Sequence, residues 1–578
     1  MDTAQSIVHS VEQGKASRVI RGAVIGVGIV AVALILLLAR FRGFYHAEAM
    51  DQAQLSRQIA NGRGFTTKFI RPIALWQLEK HTGAKVNLAK QEMPDTFNQP
   101  LPALLNVIPI KLSGNAMTFG AFVYVPAEER WLATFAMLLF LGAVVVQFFL
   151  VRRLFDQRLA FLVAGLMVIC DLFWQFSLSG LPQMLMLLIF SGALYTVARA
   201  IEDNQAGALA VRWFAAAGGL FGLLALCHGL AFWPFLGLLI FAGIYFRPRG
   251  LSVSVMLVAF LVVVTPWLIR NYNVSGHIFG TAYYWIYDGV KGTASVIFRS
   301  APPELNEVTP LWWRPKLQAS LLAQAGSLFG LLGSSVVAPL FFVALLHPFK
   351  RRETAHLRWA VLAMWMLTMF GMALFAVQPG SSTVEPVASN QLHVLFTPIM
   401  IAFGLAFILM LASRLNFSTV PLLQAAFLTG LFILSGLPLL LSLLPSSVPP
   451  LRYPPYFPPL AAQLKVWVAE GEILVSDQPW AVAWYADRKA LWLPAKMADL
   501  VAMNDYTSLG IPVAGVFLSP VTGHSRLFAD VLKGEYKDWV QVILRSPGPT
   551  FPFKEAVPLP PDGEFIFFSD RKRWEVAR

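Results

Sequence analysis

Apolar runs of membrane length alternate along most of this chain with short polar or basic stretches, and that alternation predicts its elements. The first run covers residues 22–38, after Arg18 and Arg21 and before Arg40-Phe41-Arg42. No small-residue cleavage site follows it, so it reads as an uncleaved anchor. A second run, 131–151, ends at Arg152-Arg153, and a third, 159–176, follows the tight turn LFDQR. The fourth ends near Arg199, and the fifth and sixth turn around Cys227-His228-Gly229 before Phe246-Arg247-Pro248-Arg249. The seventh covers 251–267, and the eighth ends before Lys350-Arg351-Arg352. A ninth follows, a tenth returns to Arg414, and an eleventh covers 421–444. The clustered Arg and Lys mark the cytoplasmic loops. The expectation is a polytopic α-helical membrane protein of about 11 crossings, amino end inside and carboxyl end outside.

The first long polar passage, FYHAEAMDQAQLSRQIANGRGFTTKFIRP, directly follows the first run. It has neither Pro nor Gly between Phe44 and Ala60 and is predicted to be a helix, closed by a turn at Asn61-Gly62-Arg63-Gly64. Helical spacing sets Phe44, Glu48, Asp51, Leu55 and Ile59 on one face, with Gln54 and Arg57 pointing the other way. Like charges at i,i+3 destabilise a helix by a few tenths of a kcal/mol, so Glu48 and Asp51 on an apolar stripe need a compensating role or a solvated setting.

After the Pro-rich stretch SSVPPLRYPPYFPP the hydropathy falls. The strand-like segments EILVSD, AVAWYAD, ALWLP, VAGVFLS and EFIFFSD predict a small C-terminal α/β domain. The expected division is a cytoplasmic segment 1–17, a membrane domain 18–445 with outer loops 43–128 and 268–328, a linker 446–458, and an extracytoplasmic α/β domain 459–578. Asp477 and Asp487 at strand ends lack a nucleophile or phosphate loop beside them and read as capping or turn residues; GHS at 523–525 lacks the GxSxG spacing.

Composition agrees: 57% of the 578 residues are hydrophobic and 13% charged. The net charge of +13 follows the ends of apolar runs, which points to lipid phosphates and excludes nucleic acid as the partner. Cys170 and Cys227 lie in or beside apolar runs and suggest neither a disulfide framework nor a thiolate metal site.

The order of these features resembles the membrane-embedded GT-C glycosyltransferases, nearest the bacterial branch related to protein O-mannosyltransferases and lipid A aminoarabinose transferases. Glu48 stands where that family carries its first Asp, Arg57 falls on its Arg, and GRGF closes the motif. PLPALLNVIPIKLSG resembles the family's Pro-rich return to the membrane, FLVRRLFDQRLAFLVAGL its turn between the second and third spans, and TPWLIRNYNVSG a later motif at the outer end of a span. Together these cover about residues 18–445. In many relatives the outer turn after the third span carries a Glu; here SGLPQ puts Gln183 there, so neither a metal site nor a cofactor is expected.

The resemblance implies inverting transfer of a sugar from a polyprenyl-phosphate carrier to an acceptor hydroxyl on a glycan, lipid or protein, on the outer face of a bacterial inner membrane. Such a reaction needs a base and cations for the leaving phosphate. By spacing, Glu48 is the expected base and Asp51 its support. The candidate phosphate or sugar ligands are Lys68, Arg71, Arg270, Asn271, Tyr272, Lys291, Arg299 and His393. Arg270 also reads as an interface anchor, His393 as a structural hydrogen-bonder, and Tyr283, Tyr284, Trp285 and Tyr287 as an interfacial aromatic belt. A lipid-linked glycan transporter or flippase would place polar groups inside the spans, where Asp171 is the main example. A non-catalytic assembly protein would not need the acid pair.

Overall fold

The computed structural model describes residues 15–88, 90–114, 125–290, 296–303, 305, 311, 313–375, 387–414, 421–444, 458–504, 513–520, 536–549, 551–559 and 565–575, and statements below about what is present or absent concern these residues. Helix α1 (Lys15–Leu34) runs on as a π turn through Arg40. The segment between this helix and the next long one holds α2 (Ala47–Ala60), α3 (Pro72–Thr82) and α4 (Pro100–Leu112). The membrane bundle continues with α5 (Ala127–Leu154), α6 (Gln157–Ile169), α7 (Asp171–Ser179), α8 (Gln183–Gln205), α9 (Val211–Ala225), α10 (Phe232–Tyr245) and α11 (Arg249–Ser275). After α12 (Trp313–Gly326) come α13 (Arg352–Phe375), α14 (His393–Arg414) and α15 (Pro421–Leu443).

Seven of the described helices are long and apolar enough to cross a membrane, or eight if the pair α6 and α7, bent by 54°, is one crossing. The chain is a multi-pass membrane protein. The expected fifth and sixth crossings are the shorter apolar helices α9 and α10. Where the eighth crossing is expected, the helices are short, Leu328–Leu331 and Leu340–Ala344. Gly333 (φ +80°) and Ser334 (φ +52°) turn the backbone into the left-handed region between them, and a Cβ at 333 would lie 2.5 Å from Cys170 Sγ. The apolar pattern continues through this stretch, but the backbone cannot stay helical. Elsewhere small residues let helices approach closely: a Cβ on Gly218 of α9 would run into the Met256 carbonyl of α11.

Strands β1 (Thr66–Thr67), β2 (Phe69–Ile70) and β3 (Met93–Pro94) lie in the segment between α1 and α5. The C-terminal region contributes α16 (Pro458–Trp467), β4 (Ile473–Ser476), β5 (Lys489–Trp492), β6 (Val513–Leu518), β7 (Glu555–Leu559) and β8 (Phe565–Ser569). AVAWYAD is a π turn, Val482–Ala486, instead of a strand. The sheet order is β2-β5-β4-β6-β8-β7. β2, β5, β4 and β6 are mutually parallel, and β8 pairs antiparallel with β6 and β7. Both faces are covered, with Val475, Leu491 and Val516 in one core and Leu474, Ala490 and Phe517 in the other, as parallel strands require. One edge strand of this sheet therefore comes from the segment that follows α2, more than four hundred residues upstream of β5.

Candidate active site

Every residue of α2 from Ala49 to Gln58 is buried, although six of those ten are polar. The helix is enclosed by α4, by β1 and by residues 479–486. Buried polar groups in such a setting need partners, and most of these find them through specific contacts, whereas Gln52 Oε1 and Arg57 Nε have no hydrogen-bond partner. Gln54 is 1% exposed and does not face solvent. It donates to Thr67 Oγ1 (2.7 Å) and Asp51 Oδ1 (3.1 Å) and accepts from the Lys68 amide (3.1 Å). Arg57 donates to the Trp484 carbonyl at 2.7 Å and lies 3.8 Å over its ring.

Asp51 is 1% exposed, whereas Glu48, one turn earlier, is exposed to solvent. The expected carboxylate pair is thus split between interior and surface. Asp51 Oδ2 accepts from Arg71 Nη2 at 2.7 Å and from Asn98 Nδ2 at 2.8 Å. The second acid at this centre is Asp95, in the turn between β3 and α4. Its Oδ1 accepts the backbone N–H groups of Phe97 (3.0 Å) and Asn98 (2.7 Å), and its Oδ2 accepts Asn98 Nδ2 (3.2 Å) and lies 3.9 Å from Arg71 Nη1. Burial, then the neighbouring Asp51 charge, holds the Asp95 carboxyl above the usual range; Arg71 and the Asn98 amide pull it back. One guanidinium and one amide therefore bridge two buried carboxylates. The Arg71 guanidinium is itself sandwiched, 4.0 Å from the Phe69 ring centre and 3.9 Å from that of Phe97.

Arg270, near the end of α11, reaches the same turn. It donates to the Asp95 carbonyl, to Asn271 Oδ1 (3.0 Å) and to the Phe65 carbonyl (3.3 Å), and packs on Trp267 and Phe65. These hydrogen-bond acceptors are all neutral, and the nearby Asp95 carboxylate is the charge that acts on Arg270. Asn271 is buried as the Arg270 partner, while the Tyr272 side chain is 55% exposed.

The remaining expected ligands lie elsewhere. Lys68 is 2% exposed and bound to Asp487, 2.6 Å from Oδ1 and 2.9 Å from the carbonyl. Burial lowers its ammonium below the usual lysine value against the opposing pull of Asp487. Arg299 is fully buried, donates to the Leu493 carbonyl at 2.7 Å and stacks on Tyr536, so it joins the segment between α11 and α12 to the C-terminal region. His393 accepts Trp365 Nε1–H at Nδ1 (3.0 Å), which leaves Nε2–H facing Gln324 Oε1 (3.1 Å) inside the bundle. Lys291 lies outside the described residues. Gln183 Nε2 donates to the Ser389 carbonyl at 2.6 Å, a bond that a carboxylate could not make.

Asp95, Asn98 and Phe97 were absent from the sequence expectation. Their one local signal is the turn chemistry of Pro94-Asp95-Thr96-Phe97-Asn98, in which an Asp accepts N–H groups two and three residues on. A second buried polar group lies behind α2. Glu129 Oε1 accepts Trp484 Nε1–H and its Oε2 accepts the Phe44 amide, each at 2.7 Å. Glu128 Oε1 is 3.8 Å from Arg57 Nη2. No group of three or more His, Cys, Asp or Glu that could hold a metal occurs among the described residues.

No protein-family model matches the chain, and no curated protein matches its sequence. Solved structures do match. ArnT from Cupriavidus metallidurans in the apo state superposes with a TM-score of 0.53 at 13% identity, over 95% of this chain and 98% of that one. The chain has the GT-C fold. ArnT bound to undecaprenyl phosphate matches at the same TM-score of 0.53, over 94% and 98% of the two chains. The archaeal oligosaccharyltransferase AglB from Archaeoglobus fulgidus, in complex with an inhibitory peptide and a dolichol-phosphate, matches with a TM-score of 0.52 at 13% identity, over 95% of this chain and 74% of its own. Within this fold, Asp51, Asp95, Arg71 and Arg270 meet where the segment between α1 and α5 reaches the end of α11.

Proposed function

We propose that the protein is a membrane glycosyltransferase that moves a sugar from a polyprenyl-phosphate carrier to an acceptor hydroxyl at the extracytoplasmic face of a bacterial inner membrane. The observation that carries this reading is the buried Asp51, bridged to Arg71 and Asn98 beside an Arg270 whose hydrogen-bond acceptors are all neutral. The ArnT and AglB structures with lipid phosphates support the choice of carrier.

In this reading Asp51 is the base, in place of Glu48. Arg71 and Asn98 hold Oδ2, while Oδ1 has only Gln54 at 3.1 Å and keeps a lone pair for the acceptor. As the acceptor oxygen attacks the anomeric carbon from the face opposite the phosphate, Asp51 takes its proton. The sugar–oxygen bond breaks, its electron pair stays on the carrier phosphate, and configuration inverts. Arg270 neutralises the leaving phosphate. Glu48, exposed one turn away, is placed to orient the acceptor.

Orientation follows from the basic loops: the amino end inside, the C-terminal sheet outside. The oxygens of Asp51 and Asp95 are already taken largely by Arg71, Asn98 and backbone amides, so transfer is expected to persist in EDTA. Loss of transfer in EDTA, restored by magnesium or manganese, would recast these carboxylates as metal ligands. The function is tested by sugar release from radiolabelled polyprenyl-phosphate sugar in proteoliposomes. Intact carrier after incubation with purified protein and an envelope acceptor extract opposes it, and net movement of intact carrier across the bilayer would favour a flippase.

A further inference from the structure

The C-terminal sheet reaches the acidic centre through one aromatic ring. Strand β2 pairs in parallel with β5, Phe69 opposite Ala490 and Ile70 opposite Leu491, and the Ala490 amide donates to the Lys68 carbonyl at 2.8 Å. Arg71 follows this strand directly. The Phe69 ring is held edge-on by two indoles of the C-terminal region, Trp480 with centroids 5.8 Å apart and Trp492 with centroids 5.5 Å apart. Trp480 and Trp492 also brace each other, 5.6 Å apart and nearly perpendicular at 87°. The Phe69 ring also carries the Arg71 guanidinium, 4.0 Å from its centre, which donates to Asp51. An arginine has many rotamers, and holding one of them requires packing on both faces. Phe97 supplies one face, and Phe69 with its two indoles supplies the other.

The geometry points to Trp492 and Trp480 as positioning residues: through Phe69 they fix Arg71, and through Arg71 the base Asp51. The C-terminal sheet is thereby part of the catalytic unit. This inference rests on the reading of Asp51 as base. A misplacement of about 1 Å at a reacting group costs about a hundredfold in rate. Trp492→Ala is therefore expected to lower turnover about ten- to a hundredfold while the KM for undecaprenyl-phosphate sugar stays near wild type, because Arg270 is untouched. Trp492→Phe, which keeps an aromatic edge on Phe69, restores most of the rate.

The decisive experiment is a double-mutant cycle with Arg71→Lys, a variant that retains charge but not the planar stack. If the tryptophan acts through Arg71, the double variant is no slower than Arg71→Lys alone. Multiplying effects, or a KM that rises with the fall in kcat, overturn the inference. Trp480→Leu repeats the cycle if Trp492→Ala does not fold. A structure of Trp492→Ala gives a readout independent of turnover: the Arg71–Asp51 contact should open from 2.7 Å. An unchanged contact overturns the inference, whereas an opened contact in a protein without transfer activity would sink the glycosyltransferase reading and leave the positioning intact.

Discussion

Two residues outside the acid pair carry separable predictions. Arg270 holds its bonds to neutral oxygens, so its task in this account is the carrier phosphate. Charge-assisted hydrogen bonds contribute about 1.5–3 kcal/mol, and Arg270→Gln should raise the KM for the carrier about ten- to a hundredfold with a smaller change in kcat. Steady-state kinetics with varied carrier decide this; an unchanged KM would move the phosphate elsewhere. Asp477 ends β4 and accepts the Ser519 amide at 3.1 Å and its hydroxyl at 2.6 Å, and burial pushes its carboxyl up to about 7. A raised acid favours the folded state while protonated. That contribution is whole below the unfolded value of about 3.9 and is lost as pH rises through about 7. The Tm of wild type relative to Asp477→Asn should fall between about pH 4 and pH 7. A difference that does not change with pH contradicts the assignment. Asp51 was legible in the sequence as a carboxylate on a predicted helix beside a Gly turn. Its burial, and the exposure of Glu48, were not. Periodicity identifies one apolar stripe, whereas α2 is buried from Ala49 to Gln58 and bonds Gln54, Asp51 and Arg57 to distant partners, Thr67, Asn98 and Trp484. Asp95 was hidden for a related reason: its local pattern is only that of a turn, and its role arises from Arg71 and Asn98 bringing it to Asp51.

Among the elements, the long apolar runs were readable because length and hydropathy are local properties. The break at Gly333-Ser334 and the bend between α6 and α7 were not, because they answer to neighbours: Gly333 is pressed against Cys170 and Leu172. Close helix packing offers a sharp test in two adjacent glycines. A Cβ at Gly218 would strike the Met256 carbonyl, whereas one at Gly219 meets nothing within 4 Å. Gly218→Ala should destabilise by about 1–3 kcal/mol, and Gly219→Ala should be neutral or stabilise by about 0.5–1 kcal/mol. Melting curves in detergent check both; equal Tm shifts would contradict the packing of α9 on α11. The strands of the C-terminal sheet were mostly visible as buried apolar runs. β2 was not, since two residues have no periodicity of their own and become a strand only beside β5.

At the scale of the whole molecule, a membrane bundle, a covered polar helix and a C-terminal sheet share one junction, at which Asp51, Arg71, Asp95 and Arg270 meet. Fusions of a reporter to the C terminus should be active only on the extracytoplasmic side; cytoplasmic activity would invert the topology. The claim that the junction is an active site, and that its base is the buried acid, is tested most directly by single-turnover sugar transfer from radiolabelled polyprenyl-phosphate sugar in proteoliposomes, comparing wild type with Asp51→Asn and Glu48→Gln. Removing a general base costs about 10²- to 10⁴-fold. The account predicts a loss of that order for Asp51→Asn with carrier binding preserved, and a loss of less than about tenfold for Glu48→Gln. Near-normal transfer by Asp51→Asn together with loss in Glu48→Gln would return the base to the exposed acid, and full activity in both variants would contradict the placement of the active site at this junction.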